Sequence, residues 1–415
     1  MNRSTGRSTK KEMNIIRKIA SWVRDGWAIV GITLLLFCFI EGGLALIFRL
    51  NDLRRPPARN FRAEADTYPD RAWAESYYRE VDEVEKGGTI RWAPYSYWRR
   101  AEYRGRHITI GPDGLRRTHA GAGSGPKVFM FGGSTLWGLG ADDETTIPSI
   151  FARESNAGQV VNFGQYAYVS TQGVIELMRQ LQKGNIPDAV IFYDGVNDTF
   201  GAFQLRVAGL AHSEYDRERL FNSSEKSKLS ALAAQSVIKD LSVVRFLRGM
   251  VSRIGTKTET LPSVRLQFDP PALDNRALAQ SVVDAYFNNM KMIQALSESY
   301  GFKFICYWQP VIYTKKNLTE YERKSLDLDF NYPGMKEFYL EVFSLMKQRG
   351  AEVAGQLPFH DISSIFENVR EPIYADFNHM GEKGNSAIAR RMVEDYRLSS
   401  APGKAANSTT GEVKE

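Results

Sequence analysis

From residue 127 onward the chain alternates short, almost continuously apolar runs with longer stretches of helical period. KVFMFG (127–132), QVVNFG (159–164), DAVIFYDG (188–195), FKFICYW (302–308) and PFHDIS (358–363) read as strands. STQGVIELMRQLQ (170–182), QSVVDAYFNNMKMIQALSESY (280–300), a stretch near 334–348 and another after Met380 read as helices. Strands without polar alternation must be covered on both faces, and a parallel sheet between two helical layers does this. The pattern therefore predicts a doubly wound α/β domain over 125–398, whose ligands bind at the carboxyl ends of the strands. A long insertion at about 200–275 carries KSKLSALAAQSVIKDLSVVRFLRGMVSRI, mixed basic and apolar. That stretch suits a lid, a lipid-facing helix or, no less well, an amphipathic helix packed on the main domain.

Ahead of this domain the pattern changes. Residues 27–48, WAIVGITLLLFCFIEGGLALIF, are interrupted by Glu41 alone. About 22 residues at roughly 1.5 Å each cover the ~30 Å hydrocarbon core of a bilayer. No small-x-small cleavage site follows before Arg49, so the expectation is an uncleaved transmembrane signal anchor over 27–49 that makes the lipid bilayer a partner. Glu41, toward the outer end of the span, is expected to reach interfacial water, with an interhelical partner as the rarer alternative. Residues 50–124 form a juxtamembrane segment dense in arginine and aromatic side chains, closed by a glycine- and serine-containing linker at 121–125. Its aromatics suit either sugar stacking or, more commonly, packing onto a core. Residues 399–415, rich in Pro, Gly, Ser, Thr and Asn, read as a disordered tail.

Charge sharpens this picture. Of the net +6, five charges fall in the basic tail 1–26, where seven basic side chains face two acidic ones. The near-neutral remainder has no basic stripe, which argues against a nucleic-acid partner. The basic excess before the span places the amino terminus in the cytoplasm and the large domain outside, in the periplasmic or extracellular space. The two cysteines, Cys38 in the apolar run and Cys306 in a strand, are not expected to pair, and no Cys/His cluster has zinc spacing.

The candidate chemistry sits where such a scaffold presents it. The first strand ends in Gly132-Gly133-Ser134, placing a hydroxyl at its carboxyl end on a turn that two glycines permit. The second ends at Gly164, which offers an unshielded N–H, and the third runs into Asn197-Asp198, which offers a side-chain amide. With the Ser134 N–H these are three neutral donors of the kind a tetrahedral oxyanion requires. Near the end, Asp376-Phe377-Asn378-His379 supplies an imidazole to take a serine proton and a carboxylate three residues earlier to orient it. His360-Asp361 competes as a base, but adjacent strand residues point to opposite faces. His107, His119 and His212 lie in polar, surface-like contexts.

These blocks, in this order, resemble the SGNH (GDSL) hydrolase superfamily: Gly133-Ser134, Gly164, Gly195-Val196-Asn197-Asp198 and Asp376-Phe377-Asn378-His379, over roughly 125–398. The resemblance implies a flavodoxin-like three-layer α/β/α fold with a central parallel sheet. It also implies a catalytic triad of Ser134 (nucleophile), His379 (base) and Asp376 (orienter), with Ser134, Gly164 and Asn197 as oxyanion hole. The family's Gly-Asp-Ser-Leu reads Gly-Gly-Ser-Thr here, which weakens a lipase-like assignment. The expected activity is that of a serine esterase on acyl esters, acetyl above others, needing neither metal nor organic cofactor. Cell-envelope glycans are a candidate substrate. A polysaccharide O-acetyltransferase using the same triad and a non-catalytic glycan-binding module are the alternatives.

Overall fold

A computed structural model describes residues 5–54, 60–86, 90–121, 123–222, 238–239, 241–254, 274–328 and 332–400. The chain divides into two compact units, one made of Met1–Ala58 and Tyr215–Val264, the other of Arg59–Glu214 and Arg265–Glu415.

The first unit is built on one helix, Thr5–Arg54. Within it Ile16–Asn51 is long and apolar enough to cross a membrane, and its side chains are exposed. The helix Ser242–Ile254, from the insertion, packs along it. Glu41 has the interhelical partner that the sequence allowed as the rarer alternative. It accepts the backbone N–H groups of Ser242 at 2.5 Å and Val243 at 2.9 Å, capping the partner helix where four N–H groups lack intrahelical acceptors. The Arg245 guanidinium lies 4.4 Å from the Phe48 ring centre. An amphipathic helix was expected in this stretch, and Ser242–Ile254 packs along the apolar helix, with Glu41 as its capping carboxylate. Residues 223–237, which hold the first part of the basic and apolar stretch, lie outside the described residues.

The second unit holds a five-stranded parallel sheet. In sequence order its strands are β5 (Lys127–Gly132), β6 (Gln159–Asn162), β7 (Ala189–Asp194), β8 (Lys303–Trp308) and β9 (Phe359–Asp361), and their spatial order is β6-β5-β7-β8-β9. The first strand of the sheet therefore lies between the second and third, the 2-1-3-4-5 order of flavodoxin-like folds. β7 is buried throughout and β5 nearly so. Phe131 stacks on Phe163 and Phe192 at centroid distances of 5.0 and 4.9 Å. Helices Ser170–Gln182, Val196–Leu205, Asn275–Tyr300 and Met335–Glu352 pack as one layer, and Ile147–Glu154 with Glu382–Ser400 as the other. The start of the expected tail, Ser399 and Ser400, is the end of that last helix; 401–415 lie outside the described residues.

The segment before the sheet has more structure than its polar composition suggested. It contains a helix, Arg71–Lys86, and two small hairpins, β1 (Ile90–Ala93) with β2 (Tyr97–Arg100) and β3 (Tyr103–Arg104) with β4 (Thr109–Ile110). Tyr68, Tyr77, Tyr78, Val81, Val84, Ile108 and Ile110 form a second core with Trp137 and Leu139 from the sheet domain. Arg116, fully buried, closes the junction: it donates to Gly138 O (2.7 Å) and Ala141 O (2.6 Å), pairs with Asp143 at 3.0 Å and lies 4.3 Å from the Trp137 ring centre.

A second buried ion pair fixes the late part of the chain. Lys315 Nζ and Glu322 Oε2 are 2.5 Å apart with no side-chain exposure. Glu322 also accepts the N–H groups of Ile373 (3.0 Å) and Tyr374 (3.1 Å), and Lys315 donates to Glu371 O (2.7 Å). Truncation by Glu322→Ala strands a buried ammonium, these two N–H groups and that of Thr319, so a loss of about 3–5 kcal/mol is expected in urea melts. Glu322→Gln, which keeps an acceptor for the two N–H groups, should lose less.

Candidate active site

Three strand ends converge at the position where the sheet order reverses, between β5 and its neighbours β6 and β7. β5 delivers Ser134 at the first turn of the short helix Ser134–Trp137. The Ser134 Oγ is 2.7 Å from His379 Nε2, and His379 Nδ1 is 2.7 Å from Asp376 Oδ2. Relative exposures of 7%, 6% and 0% for Ser134, His379 and Asp376 put the array out of bulk water. The structure thus brings the three sequence-predicted residues into one hydrogen-bonded line across 245 residues of chain.

The loop that carries the base is shaped by its own acid. Asp376 Oδ1 accepts the backbone N–H groups of Asn378 (3.0 Å) and His379 (2.7 Å), and Ala375 N–H donates to His379 O at 2.8 Å. These bonds bend 375–379 into a tight turn and leave Oδ2 for the imidazole. Oδ2 also accepts from Arg62 Nε at 2.5 Å. Burial opposes charge on this carboxyl. Attraction to His379 and Arg62, together with the hydrogen bonds from His379, outweighs it and holds the group well below the usual carboxylate range.

The expected oxyanion donors are placed unequally. Ser134 N–H, at the first helical position, has no intrahelical acceptor. Asn197 Nδ2 donates one hydrogen to Tyr168 O at 2.9 Å, and an amide nitrogen carries a second. Gly133 makes that approach possible, since a Cβ there would stand 2.2 Å from Asn197 Nδ2. The Asn197 amide thus occupies the space that a Cβ at position 133 would take. Asn197 itself follows Gly195, whose φ of +126° and contact with the Trp308 ring exclude a side chain. The Gly164 N–H, by contrast, is donated to Asn162 Oδ1 at 2.9 Å. Asn162 is held there by its own Nδ2, which donates to Leu136 O at 3.2 Å, so this third donor is already engaged.

Other histidines lie apart from Ser134. His360 stacks on Tyr307 and sits 3.6 Å from Asp395, in a pairing with β8 and the last helix. His107 is buried rather than surface-like: its Nε2 is 3.1 Å from Ser76 Oγ, and its ring packs edge-on against Trp73. His119 pairs with Glu144 at 2.7 Å, and His212 packs on Phe200. Cys38 and Cys306 are both free. Sequence reasoning missed Arg62, because no spacing rule links a juxtamembrane arginine to a loop 314 residues away.

Beneath the site two buried acids have opposite electrostatics. Asp194, at the end of β7, is pushed well above the usual range by burial and by the charge of Asp198. Its native state binds the proton more tightly than the unfolded chain, so its contribution to stability is present below about pH 4 and lost as pH rises through the folded value. Asp376 has the reverse sign: its contribution is present at neutral pH and lost as pH falls below about 4. Asp194→Asn should raise the melting temperature by a margin that grows as pH rises above about 4. Asp376→Asn should lower it at neutral pH, with the deficit closing in acid.

No family model and no curated protein matches this chain. Solved structures do. A lipolytic protein of the G-D-S-L family from Veillonella parvula is 12% identical, with 65% of this chain and 96% of that chain covered and a TM-score of 0.36. An α/β hydrolase from the metagenome of Lake Arreo, Spain, is also 12% identical, with 65% and 94% covered and a TM-score of 0.34. A catalytic mutant of an acetylxylan esterase from Geobacillus stearothermophilus gives 12% identity, 66% and 94% coverage and a TM-score of 0.33. By its own sheet order and its two helical layers, the chain has a flavodoxin-like three-layer α/β/α fold, with the serine and the amide carried at strand ends.

Proposed function

We propose that the chain is a membrane-anchored serine esterase of the SGNH (GDSL) type, acting on acyl esters of envelope glycans. The observation that carries this reading is the 2.7 Å contact between Ser134 Oγ and His379 Nε2, continued at 2.7 Å to a carboxylate held charged. A serine hydroxyl is a weak nucleophile until a base takes its proton. In this reading Ser134 Oγ attacks the acyl carbonyl carbon while Nε2 accepts the hydroxyl proton, and Asp376 stabilises the imidazolium that forms. The tetrahedral oxyanion is held by the Ser134 N–H and the second Asn197 Nδ2 hydrogen. Gly164 joins them once its N–H leaves Asn162. Collapse expels the alcohol, which takes the proton from His379. Water, deprotonated by the same imidazole, then attacks the acyl-serine; collapse breaks the acyl carbon–Oγ bond, Ser134 Oγ takes the proton back from His379, and the carboxylic acid leaves.

Support for a sugar-bearing substrate comes from the β1–β2 hairpin. Trp92 and Tyr95 are 70% and 74% exposed, and Tyr97 stacks on Trp98 at a centroid distance of 6.4 Å and lies tilted against Trp92 at 5.9 Å. Tyr95 and Tyr97 both hold positive φ, 66° and 75°, a conformation that costs energy for bulky residues and persists only where the surroundings enforce it. The hairpin is joined to the site. Trp98 Nε1 donates to Tyr166 O at 2.9 Å, the Tyr168 hydroxyl donates to Trp98 O, and Tyr168 O accepts from Asn197. Exposed rings on a hairpin tied by hydrogen bonds to the Asn197 amide suit the apolar faces of sugars. Support for the anchor is the exposed apolar helix Ile16–Asn51, and the basic residues before it favour a cytoplasmic amino terminus with the sheet domain outside.

A fluorophosphonate probe should label the full-length protein, and Ser134→Ala should abolish labelling. Labelling that persists in that variant would sink the assignment, and no labelling of folded protein would favour a binding module. Asn197→Ala should lose on the order of 10²–10³ in kcat on p-nitrophenyl acetate. Gly133→Ala should fold yet lose part of the same factor by displacing the amide. With an acetylated glycan donor, release of acetate to water marks an esterase, and transfer to an added glycan hydroxyl marks an acetyltransferase.

A further inference from the structure

The juxtamembrane segment reaches the catalytic acid. Arg62 lies on the short helical turn Phe61–Glu64, and its Nε donates to Asp376 Oδ2 at 2.5 Å, the oxygen that also takes the His379 Nδ1 hydrogen. The arginine side chain is 15% exposed and the carboxylate not at all, so water screens the pair little. Arg62 is also fixed before any substrate arrives. Asn60 Oδ1 accepts the Arg62 N–H at 3.2 Å while Asn60 Nδ2 donates to Asp82 at 3.2 Å. Arg71 donates to Ala63 O (3.2 Å) and Ala65 O (3.0 Å). Tyr321 spans the two loops: its hydroxyl stands 3.1 Å from Phe61 O and 2.8 Å from Ala375 O, the residue before the acid.

We propose that Arg62 is a positioning residue of the active site, a fourth member that orients Asp376 and sets how strongly its charge acts on His379. This rests on the triad reading above. A carboxylate oxygen shared between a guanidinium and an imidazole is fixed in the plane both donors require, which keeps Nδ1 protonated and Nε2 free to accept the serine proton. The cation also offsets part of the negative field at the imidazole. Without it the imidazolium is favoured, and the base becomes available only at higher pH. Among the described residues, the other titratable groups facing the pair include Tyr68, Tyr78 and Tyr321, whose phenols burial pushes up out of the working range, and Glu64 and Asp66 on the segment of Arg62, which share the sign of Asp376. Arg62 is therefore the group whose removal shifts the field at His379 toward negative. The segment that leads from the apolar helix thereby completes the chemistry of a loop at the far end of the chain.

The test is steady-state hydrolysis of p-nitrophenyl acetate by the full-length protein in detergent, comparing Arg62→Gln, Arg62→Lys and Ser134→Ala across pH. For Arg62→Gln the expected result is a kcat lower on the order of tenfold at little-changed KM, and an acid limb of kcat/KM displaced upward by about one pH unit. Arg62→Lys should return the acid limb to its wild-type position while leaving part of the kcat loss, because an ammonium lacks the planar fork. If Ser134→Ala is inactive while a folded Arg62→Gln keeps both kcat and the acid limb of the wild type, the positioning role is overturned and the triad stands. If Ser134→Ala retains activity, the triad reading itself fails. Should Arg62→Gln not fold by circular dichroism, Arg62→Lys decides: reduced kcat at an unmoved limb supports the role, and wild-type kcat overturns it.

Discussion

A carboxylate taken wholly out of water must be repaid by donors and cations, or it protonates. Asp376 is that group here. Its side chain is fully buried, yet two backbone N–H groups, the His379 ring and Arg62 hold it charged. Much of the sheet domain is arranged to deliver these partners. The Lys315–Glu322 pair anchors the backbone at 371–374, Tyr321 seats on Ala375, and the turn 375–379 presents the imidazole to Ser134.

The contrast with Asp194 shows how environment, not residue type, assigns chemistry. Burial first, and then the like charge of Asp198, drive the Asp194 carboxyl toward the neutral form. The two acids lie in one domain with opposite shifts. The segment before the sheet matters for the same reason. Arg116 neutralises the carbonyl groups at the end of the serine-bearing turn, and Arg62 neutralises the acid that orients the base. Arginine-rich composition at 50–124 thus has an interior role that a surface reading of charge misses.

The unit built on the apolar helix follows a related rule. Glu41 is a carboxylate in an apolar helix, and the helix Ser242–Ile254 offers it two N–H groups at an otherwise uncapped end. A charge in such a place needs a partner, and one lies 201 residues away.

The strands at 127–132, 159–164, 188–195 and 302–308 and the helix at 170–182 were legible because burial on both faces demands continuous apolar runs, and amphipathic period marks helices. Ser134, Asn197 and His379 were legible because strand ends and short-range spacing are local properties. Gly164 was placed correctly at its strand end, but its N–H is spent on Asn162, a side-chain rotamer that no pattern encodes. The hairpins at 90–110 were missed since short, half-exposed strands carry little periodicity. Arg62, Arg116 and the partner of Glu41 were decided by tertiary structure alone. A hydrogen bond depends on where two atoms lie in space, and the sequence lists only which atoms are available to be brought there.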